Sequence, residues 1–271
     1  MRIRGLPVEE RLIFYRKAME LRRLGYGRRK IAKILGISSS TIGNWLYRGA
    51  TPIRRPNYDL KPSPSLAYVI GALLGDGTIG YTCPKQGDKR YRYHILHKLR
   101  VNDLDFAKTF SEEVAKALGR PPPPISFIED RRYCVEFASI ELSKILGDMR
   151  LLKVYVDQFP EAFIRGLFDA DGGVALNRSS MRKSHLVIAN TNLQLLEYVQ
   201  ELLQRLGIQS RIRKMPDARL TKKPCYGLYI ERKRSILLFA EKIGCSVGRK
   251  KRKLDELVNW ILTRGNEKMW R

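Results

Sequence analysis

The apolar residues near the start of the chain repeat at the three- and four-residue spacing of amphipathic helices. They form three successive stripes: Leu12, Tyr15 and Met19; Ile31, Ile34 and Leu35; and Ile42, Trp45 and Leu46. Gly36 separates the second stripe from the third and favours a tight turn, because glycine enters left-handed backbone space at little cost. Ser38 is a suitable N-cap for the third helix. The pattern predicts a small all-α domain over residues 1–50.

The third of these predicted helices would expose a set of polar side chains. The set is Ser39, Ser40, Thr41, Asn44 and Arg48. Short polar side chains at the start of an exposed helix suit the base edges and phosphates of a major groove. The stretch GRRKIAKILGISSSTIGNWL resembles helix-turn-helix DNA-binding domains, which implies that this helix contacts DNA. The alternative is a three-helix bundle with no role in DNA binding.

A proline-rich stretch separates this segment from the rest of the chain. Its prolines are Pro52, Pro56, Pro62 and Pro64. Prolines at this density prevent regular helix and favour a semi-extended tether. We therefore predict a linker over residues 51–64.

The remaining residues read as two copies of one unit. Residues 68–80, YVIGALLGDGTIG, are similar to residues 163–175, FIRGLFDADGGVA, and their Asp-Gly pairs begin at Asp76 and Asp171, 95 residues apart. After each segment the pattern predicts two strands, a helix, two more strands and a further helix, and a terminal helix follows over 250–264. We predict two α/β halves, residues 65–155 and 156–271.

Small residues recur at helical spacing in both copies. Gly71 and Gly75 lie four residues apart on one helical face, and Gly166 and Ala170 repeat the arrangement. Small residues at this spacing allow two helix backbones to approach closely. The two helices are therefore predicted to pack against each other.

Such packing would bring Asp76 and Asp171 together at the C-terminal ends of the two helices. A helix C-terminus carries about half a negative charge, so two carboxylates there repel the helix dipoles and each other. A divalent cation relieves this repulsion, because Mg²⁺ prefers carboxylate and carbonyl oxygens. We predict a Mg²⁺ site formed by Asp76, Asp171 and the carbonyl oxygens of Gly75 and Ala170.

Residues 69–77 and 164–172 resemble the LAGLIDADG signature of homing endonucleases. The resemblance implies an α+β fold with two pseudo-symmetric αββαββα halves and saddle-shaped antiparallel sheets. It further implies that the protein is a monomer that acts as a pseudo-dimer. It also implies hydrolysis of double-stranded DNA with Mg²⁺, for which Mn²⁺ substitutes, with Asp76 and Asp171 as catalytic acids. The first motif has Leu74 where the second has Asp169, so we expect Asp169 to be a capping acid and not a required ligand.

A basic residue assists catalysis in this family, and the repeat suggests Lys153 and Lys250 for this role. They follow Asp76 and Asp171 by 77 and 79 residues. Lys98 is an alternative, since it lies on a predicted strand closer to the first motif. A lysine is also common as a solvated surface charge.

The charge of the chain indicates a polyanionic partner. Lys and Arg total 52 against 27 Asp and Glu, a formal net charge of +25. Such an excess favours nucleic acid, because each phosphate that a protein neutralises releases counterions. The predicted strand 90–101 has one basic face, and the second half offers two arginines on one strand. These candidate DNA contacts are Arg90, Arg92, His94, Lys98, Arg100, Arg211 and Arg213.

Other features bound the class of protein. The four cysteines form no C-x-x-C pair, which argues against a zinc site. No run of about 18 apolar residues exists, so we expect no membrane segment and a cytoplasmic protein. Two alternatives to an endonuclease remain: a transcription regulator with a LAGLIDADG-like domain, and an intron maturase, for which RNA would be the partner.

Overall fold

The computed structural model of the protein describes residues 8–48, 60–82, 94–216 and 224–266. The chain divides into two compact units, Met1–Asp59 and Leu60–Arg271. Most of the predicted linker, residues 51–59, lies outside the described residues. No helix within the described ranges is long and apolar enough to cross a membrane.

The described part of the first unit, residues 8–48, contains three helices, α1 (Val8–Arg23), α2 (Arg28–Leu35) and α3 (Ser39–Tyr47). Their core consists of Ala18, Ile31, Ala32, Ile37, Ile42 and Trp45. Gly36 ends α2 in the left-handed region, with φ 63°. Ser38 caps α3, and its hydroxyl accepts a hydrogen bond from the Thr41 amide at 3.3 Å. Ile34 was predicted to lie on the buried face of α2 but is 52% exposed, because Ala32 occupies that face instead.

The second unit contains two copies of one arrangement. The first copy consists of α4 (Pro64–Asp76), β1 (Gly77–Thr82), β2 (His94–Val101), α5 (Leu104–Leu118), β3 (Ile125–Phe127), β4 (Tyr133–Ala138), α6 (Ile140–Gly147) and α7 (Met149–Val156). The second consists of α8 (Pro160–Asp171), β5 (Gly172–Ala175), β6 (His185–Asn190), α9 (Leu193–Arg205), β7 (Arg211–Lys214), β8 (Tyr226–Ile230), α10 (Lys233–Lys242) and α11 (Gly248–Asn266). The predicted α+β repeat is confirmed.

The two sheets share one topology. Their strand orders are β1-β2-β4-β3 and β5-β6-β8-β7, and every neighbouring pair is antiparallel. In the outer pairing, Gly77 lies opposite Leu99 in the first half, and Gly172 lies opposite Ile188 in the second. In the central pairing, Leu99 lies opposite Val135, and Ile188 lies opposite Leu228. These registers align the two halves residue by residue.

Helix α7 is an element that the hydrophobic pattern did not predict in the first half. Its N-cap is Asp148, whose carboxylate accepts hydrogen bonds from the amides of Arg150 at 2.8 Å and Leu151 at 3.4 Å. Leu152 and Val156 supply its buried side. Eight residues give too few apolar positions for a clear hydrophobic period, so the pattern did not indicate this helix.

Candidate active site at the paired helices

The centre of the second unit is the packing of α4 against α8. Both helices are buried along most of their length. A Cβ atom on Gly71 would overlap the carbonyl oxygen of Phe163, and one on Gly166 would overlap the carbonyl oxygen of Tyr68. The backbones therefore touch directly, at the small residues that the sequence places four apart.

The contact continues to the ends of the helices, where the acidic residues lie. A Cβ atom on Gly75 would lie 2.5 Å from the Cβ atom of Ala170 and 3.1 Å from the carboxyl carbon of Asp171. Asp76 follows Gly75 directly, and its charge raises the pKa of Asp171. The structure thus brings the two predicted catalytic acids together across the pseudo-twofold contact.

The two carboxyl groups have perturbed acidity. Burial is the main cause of the raised pKa of Asp171, which reaches about 6 despite a hydrogen bond of 2.6 Å from the Asn190 side-chain amide. Burial also raises the pKa of Asp76, while the positive charges of Lys250, Arg132 and Arg249 oppose the increase. Two half-buried acids that disfavour their own ionisation form a site that a cation stabilises.

The acidity of Asp171 predicts a pH-dependent stability. Because its folded pKa exceeds the ordinary value of 3.8, the fold binds the proton more tightly than the unfolded chain does. The contribution of this proton to the free energy of unfolding is fully present below about pH 4 and is lost as the pH rises through about 6. In metal-free buffer, Asp171→Asn should therefore match the wild type near pH 4 and exceed its stability by about 3 kcal/mol at pH 8. Thermal unfolding across this range measures the difference, and equal curves at pH 8 would contradict it.

Lys250 is buried at the end of α8. Only 4% of the residue is exposed, and its Nζ donates hydrogen bonds to the carbonyl oxygens of Phe168 at 2.9 Å, Asp169 at 2.6 Å and Ala170 at 3.2 Å. These bonds engage all three of its donors. The ammonium group therefore caps the negative end of the helix, and burial lowers its pKa. Its positive charge acts on Asp76 and Asp171.

Lys153, the counterpart of Lys250 in the repeat, has a different environment. It lies exposed on α7, with its Nζ 5.0 Å from the ring centroid of Tyr198. Lys98 lies on the outer face of β2 and forms an ion pair of 2.8 Å with Glu136. Of the three lysines considered from the sequence, only Lys250 contacts the ends of the paired helices among the interactions that the structure describes.

Asp169 connects the two helices beneath the acidic residues. It is 2% exposed and accepts hydrogen bonds from the Tyr68 hydroxyl at 2.8 Å and from the Ser246 amide at 2.8 and 3.1 Å. Its oxygens are thus engaged by protein donors, in agreement with the expectation that it is not a required ligand. Tyr68 and Ser246 are positioning residues that the sequence analysis missed, since a single Tyr or Ser carries no signal without its partner.

A polar cleft lies beside Asp76. It has a volume of about 180 Å³ and is lined by Asp76, Arg100, Val101, Asn102, Asp103, Phe106, Arg132, Asp169, Ala170 and Arg249. Asp103 forms an ion pair of 2.9 Å with Arg249, which joins the first half to the start of α11. The cleft is an open, charged recess next to the first catalytic candidate.

The outer faces of the two sheets carry the other predicted DNA contacts. Arg211 and Arg213 are exposed on β7, and Arg213 forms a two-bond ion pair with Glu231 at 2.8 and 2.9 Å. Lys98 and Arg100 share the outer face of β2, since the residues between and beyond them, Leu99 and Val101, are buried. Arg90 and Arg92 lie outside the described residues, and so does the side chain of His94.

His97 lies on the buried face of β2. It is fully buried, and its Nε2 lies 2.9 Å from the Ser139 carbonyl oxygen and 3.0 Å from the Ser143 hydroxyl oxygen. Burial lowers its pKa. The imidazole is part of the core between β2 and α6.

The polar set on α3 is divided by burial. Ser40, Asn44 and Arg48 are exposed, whereas Ser39 and Thr41 are half-buried. The Thr41 hydroxyl lies 2.8 Å from the Ser38 hydroxyl, so it takes part in the helix cap. The exposed members present one polar edge of α3 to solvent.

This arrangement corresponds to a known family. Residues 158–244 match the family of LAGLIDADG-like domains. An uncharacterized protein of Methanocaldococcus jannaschii is 32% identical over 268 residues, which cover 91% of this chain and 93% of the relative. The chain therefore contains a LAGLIDADG-like domain and belongs to the same family as this archaeal protein.

Solved structures share the fold. Mesophilic variants of the homing endonuclease I-DmoI match with a TM-score of 0.51 and 22% identity, covering 66% of this chain and 90% of theirs. I-DmoI in complex with DNA and Mn matches with a TM-score of 0.50 and 23% identity, covering 68% and 98%. At this level of identity the likeness shows a shared fold, which consists of two sheets and the paired helices.

Proposed function

We propose that this protein is a homing endonuclease that hydrolyses both strands of a specific double-stranded DNA site, using divalent metal held where α4 and α8 end. The observation that carries the proposal is the direct backbone contact of the two helices, which sets Asp171 against Gly75 and beside Asp76. The family membership and the structural likeness to I-DmoI, solved with DNA and Mn, support it.

The residues at the helix ends fit Mg²⁺ or Mn²⁺. The described residues contain no cluster of three or more His, Cys, Asp and Glu, so the candidate ligands at the helix ends are the two carboxylates and backbone carbonyl oxygens. Two carboxylates with nearby carbonyl oxygens are instead a hard oxygen set, which Mg²⁺ completes with water and phosphate oxygens. Asp76 and Asp171 would hold the metal with the carbonyl oxygen of Gly75. The Ala170 carbonyl oxygen, which already accepts from Lys250, would contribute its second lone pair.

The protein side chains have distinct tasks in this mechanism. A bound divalent metal lowers the pKa of its water and stabilises negative charge on the phosphate. Asn190 orients the carboxylate of Asp171 through its 2.6 Å hydrogen bond. Asp169 fixes α8 against Tyr68 of α4, and Lys250 offsets the negative end of α8. These contacts hold both acids in one geometry before DNA binds, which lowers the reorganisation that the reaction requires.

The outer faces of the sheets would bind the duplex, with each half contacting one side of the target. Arg100, Lys98, Arg211 and Arg213 provide donors for guanine edges and phosphates. Tyr229 supports Arg213, whose guanidinium lies 5.3 Å from the Tyr229 ring centroid. The chain would act as a monomer, since both halves of the site belong to one polypeptide.

The first unit would add a second attachment to DNA. Its three helices and the exposed Ser40, Asn44 and Arg48 suit a helix-turn-helix whose third helix enters the major groove. Ser39 and Thr41, half-buried near the cap, would contribute through the start of that helix. Two linked DNA-binding units raise the overall affinity without new chemistry.

The decisive experiment is cleavage of a randomised double-stranded DNA library by the full chain with Mg²⁺, followed by sequencing of the cut ends. We expect one asymmetric target class and cuts on both strands at a fixed offset. Replacing Mg²⁺ by Ca²⁺ or EDTA serves as the control for adventitious nuclease. Specific capture of library members with no cut in Mg²⁺ or Mn²⁺ would contradict the proposal.

One observation favours a second function, DNA binding without cleavage as in a transcription regulator. The ammonium group of Lys250 lies on the Ala170 carbonyl oxygen, which is a predicted metal ligand, and its charge opposes a cation there. In the library experiment this function gives bound sequences that remain intact. The wild-type protein therefore distinguishes the two functions directly.

A further inference from the structure

Three arginines from separate elements surround the cleft beside Asp76. Arg100 lies on β2, Arg132 directly precedes β4, and Arg249 lies in the first turn of α11. The charges of Arg132 and Arg249 act on Asp76. Since α11 belongs to the second half, the cleft is completed by both halves.

Acidic neighbours orient two of these arginines. The Nε atom of Arg132 donates to Asp130 at 2.8 Å, and its Nη2 atom donates to the same carboxylate, which leaves Nη1. The Nε atom of Arg249 donates to both oxygens of Asp103 at 2.9 and 3.0 Å. Their side chains are 43% and 58% exposed, so solvent reaches them. A guanidinium group held in this way keeps a defined plane, and the donors that its acidic neighbour leaves free suit a phosphate oxygen.

The sheet registers show that the second half lacks this arrangement at two positions. By those registers Arg100 corresponds to Ala189, and Arg132 corresponds to Cys225. Neither of these residues can form a charge-assisted bond to a phosphate at neutral pH in the way that arginine does. The difference is therefore built into equivalent positions of the same fold.

The third position differs as well. Arg249 precedes Lys250, whereas the repeat places Leu152 before Lys153, and Leu152 is fully buried. Among the side chains that the structure describes, Asp171 has Asn190 as its hydrogen-bond donor. Asp76 and Asp171 thus share a helix-end position but have different charge surroundings.

We propose that Arg100, Arg132 and Arg249 form a binding pocket for one DNA phosphate beside Asp76, which makes the two halves of the active site unequal. The proposal rests on the function proposed above and adds the group that this pocket binds. The DNA strand that reaches Asp76 is held by the arginines and is cut faster than the strand that reaches Asp171.

The first test measures DNA binding without cleavage. Association with a duplex of the captured sequence is followed in Ca²⁺ at several salt concentrations. The slope of log K against log[salt] should become shallower by about 0.9 for R132A/R249A, because the pocket contacts one phosphate and each phosphate contact contributes that amount. The change for R249A alone should be smaller, since Arg132 still contacts the same phosphate. The matched control is Arg205→Ala, since Arg205 pairs with Asp157 in a similar way away from the cleft and should leave the slope unchanged. R132K/R249K keeps the charge and should keep the slope, which verifies folding.

The second test follows each strand separately with end-labelled duplex in Mg²⁺. For R132A/R249A, cutting of the strand that reaches Asp76 should slow by roughly 10- to 100-fold more than cutting of the other strand, as expected for loss of charge-assisted hydrogen bonds. An unchanged salt slope, or equal slowing of both strands, would overturn the phosphate pocket. If the wild type cuts neither strand, the proposed function fails, and the salt slope alone still decides whether the arginines bind phosphate.

Discussion

Asp76→Asn and Asp171→Asn should each reduce DNA cleavage by roughly 10²- to 10³-fold, because each removes a charged ligand worth several kcal/mol of transition-state stabilisation. The amide keeps the size of the carboxyl group, so the contact between α4 and α8 should persist. DNA affinity without divalent metal should stay the same or rise, since a negative charge beside the DNA phosphates is removed. Strand-resolved cleavage and binding of one duplex measure both effects.

A matched control for these variants is Asp148→Asn. Asp148 caps α7, and asparagine is an equally good N-cap, so the variant should retain structure and cleavage. The stability measurement adds an independent readout: Mg²⁺ should raise the melting temperature of the wild type but not of Asp171→Asn. Wild-type cleavage rates in either active-site variant would remove the paired acids from the mechanism.

The repeat made the second unit predictable from sequence. Each Asp-Gly pair follows two small residues that lie four positions apart, which predicted a close helix contact. In the structure Gly71 and Gly166 lie at backbone contacts between the two helices. Such a prediction succeeds because a residue without a Cβ atom has one evident use on a buried helix, the close approach of another backbone. The strand pattern of β2 was equally informative, since its buried and exposed positions alternate.

The lysines show where this reasoning ends. The repeat treats Lys153 and Lys250 as equivalent, but Lys250 is buried on the end of α8 while Lys153 is exposed beside Tyr198. The difference arises because the partner of each lysine belongs to an element distant in sequence, and spacing within a repeat carries no information about it. The same limit applies to His97, whose two hydrogen-bond partners lie more than 40 residues away in the sequence.

The asymmetry of the two halves follows from the same limitation. Arg132 and Arg249 are separated by more than a hundred residues and meet at one cleft only because α11 of the second half returns to the first. In the sequence, each was one arginine among many. The sequence therefore predicted the acids, which the duplication preserves, and Arg100, but it missed Arg132 and Arg249, which the second half does not repeat.

Gly166→Ala should destabilise the second unit by at least about 3 kcal/mol, because the new methyl group would overlap the carbonyl oxygen of Tyr68 and neither backbone can move without disturbing a buried helix. For a unit of this size, that corresponds to a melting temperature lower by roughly 6–12 °C in calorimetry of the full chain. Gly71→Ala meets Phe163 in the same way and should behave alike.

The control for a general effect of Gly→Ala is Gly147→Ala. Gly147 is the last residue of α6, and a Cβ atom there meets no neighbour within 4 Å. Alanine has the higher helix propensity, so this variant should change stability by less than about 1 kcal/mol, in the stabilising direction. If α4 and α8 pack as described, Gly166→Ala and Gly71→Ala should lose DNA cleavage together with the fold. The control, Gly147→Ala, should retain both. Equal melting temperatures for Gly166→Ala and Gly147→Ala would mean that α4 and α8 are not in backbone contact, and the shared site of Asp76 and Asp171 would then lose its physical basis.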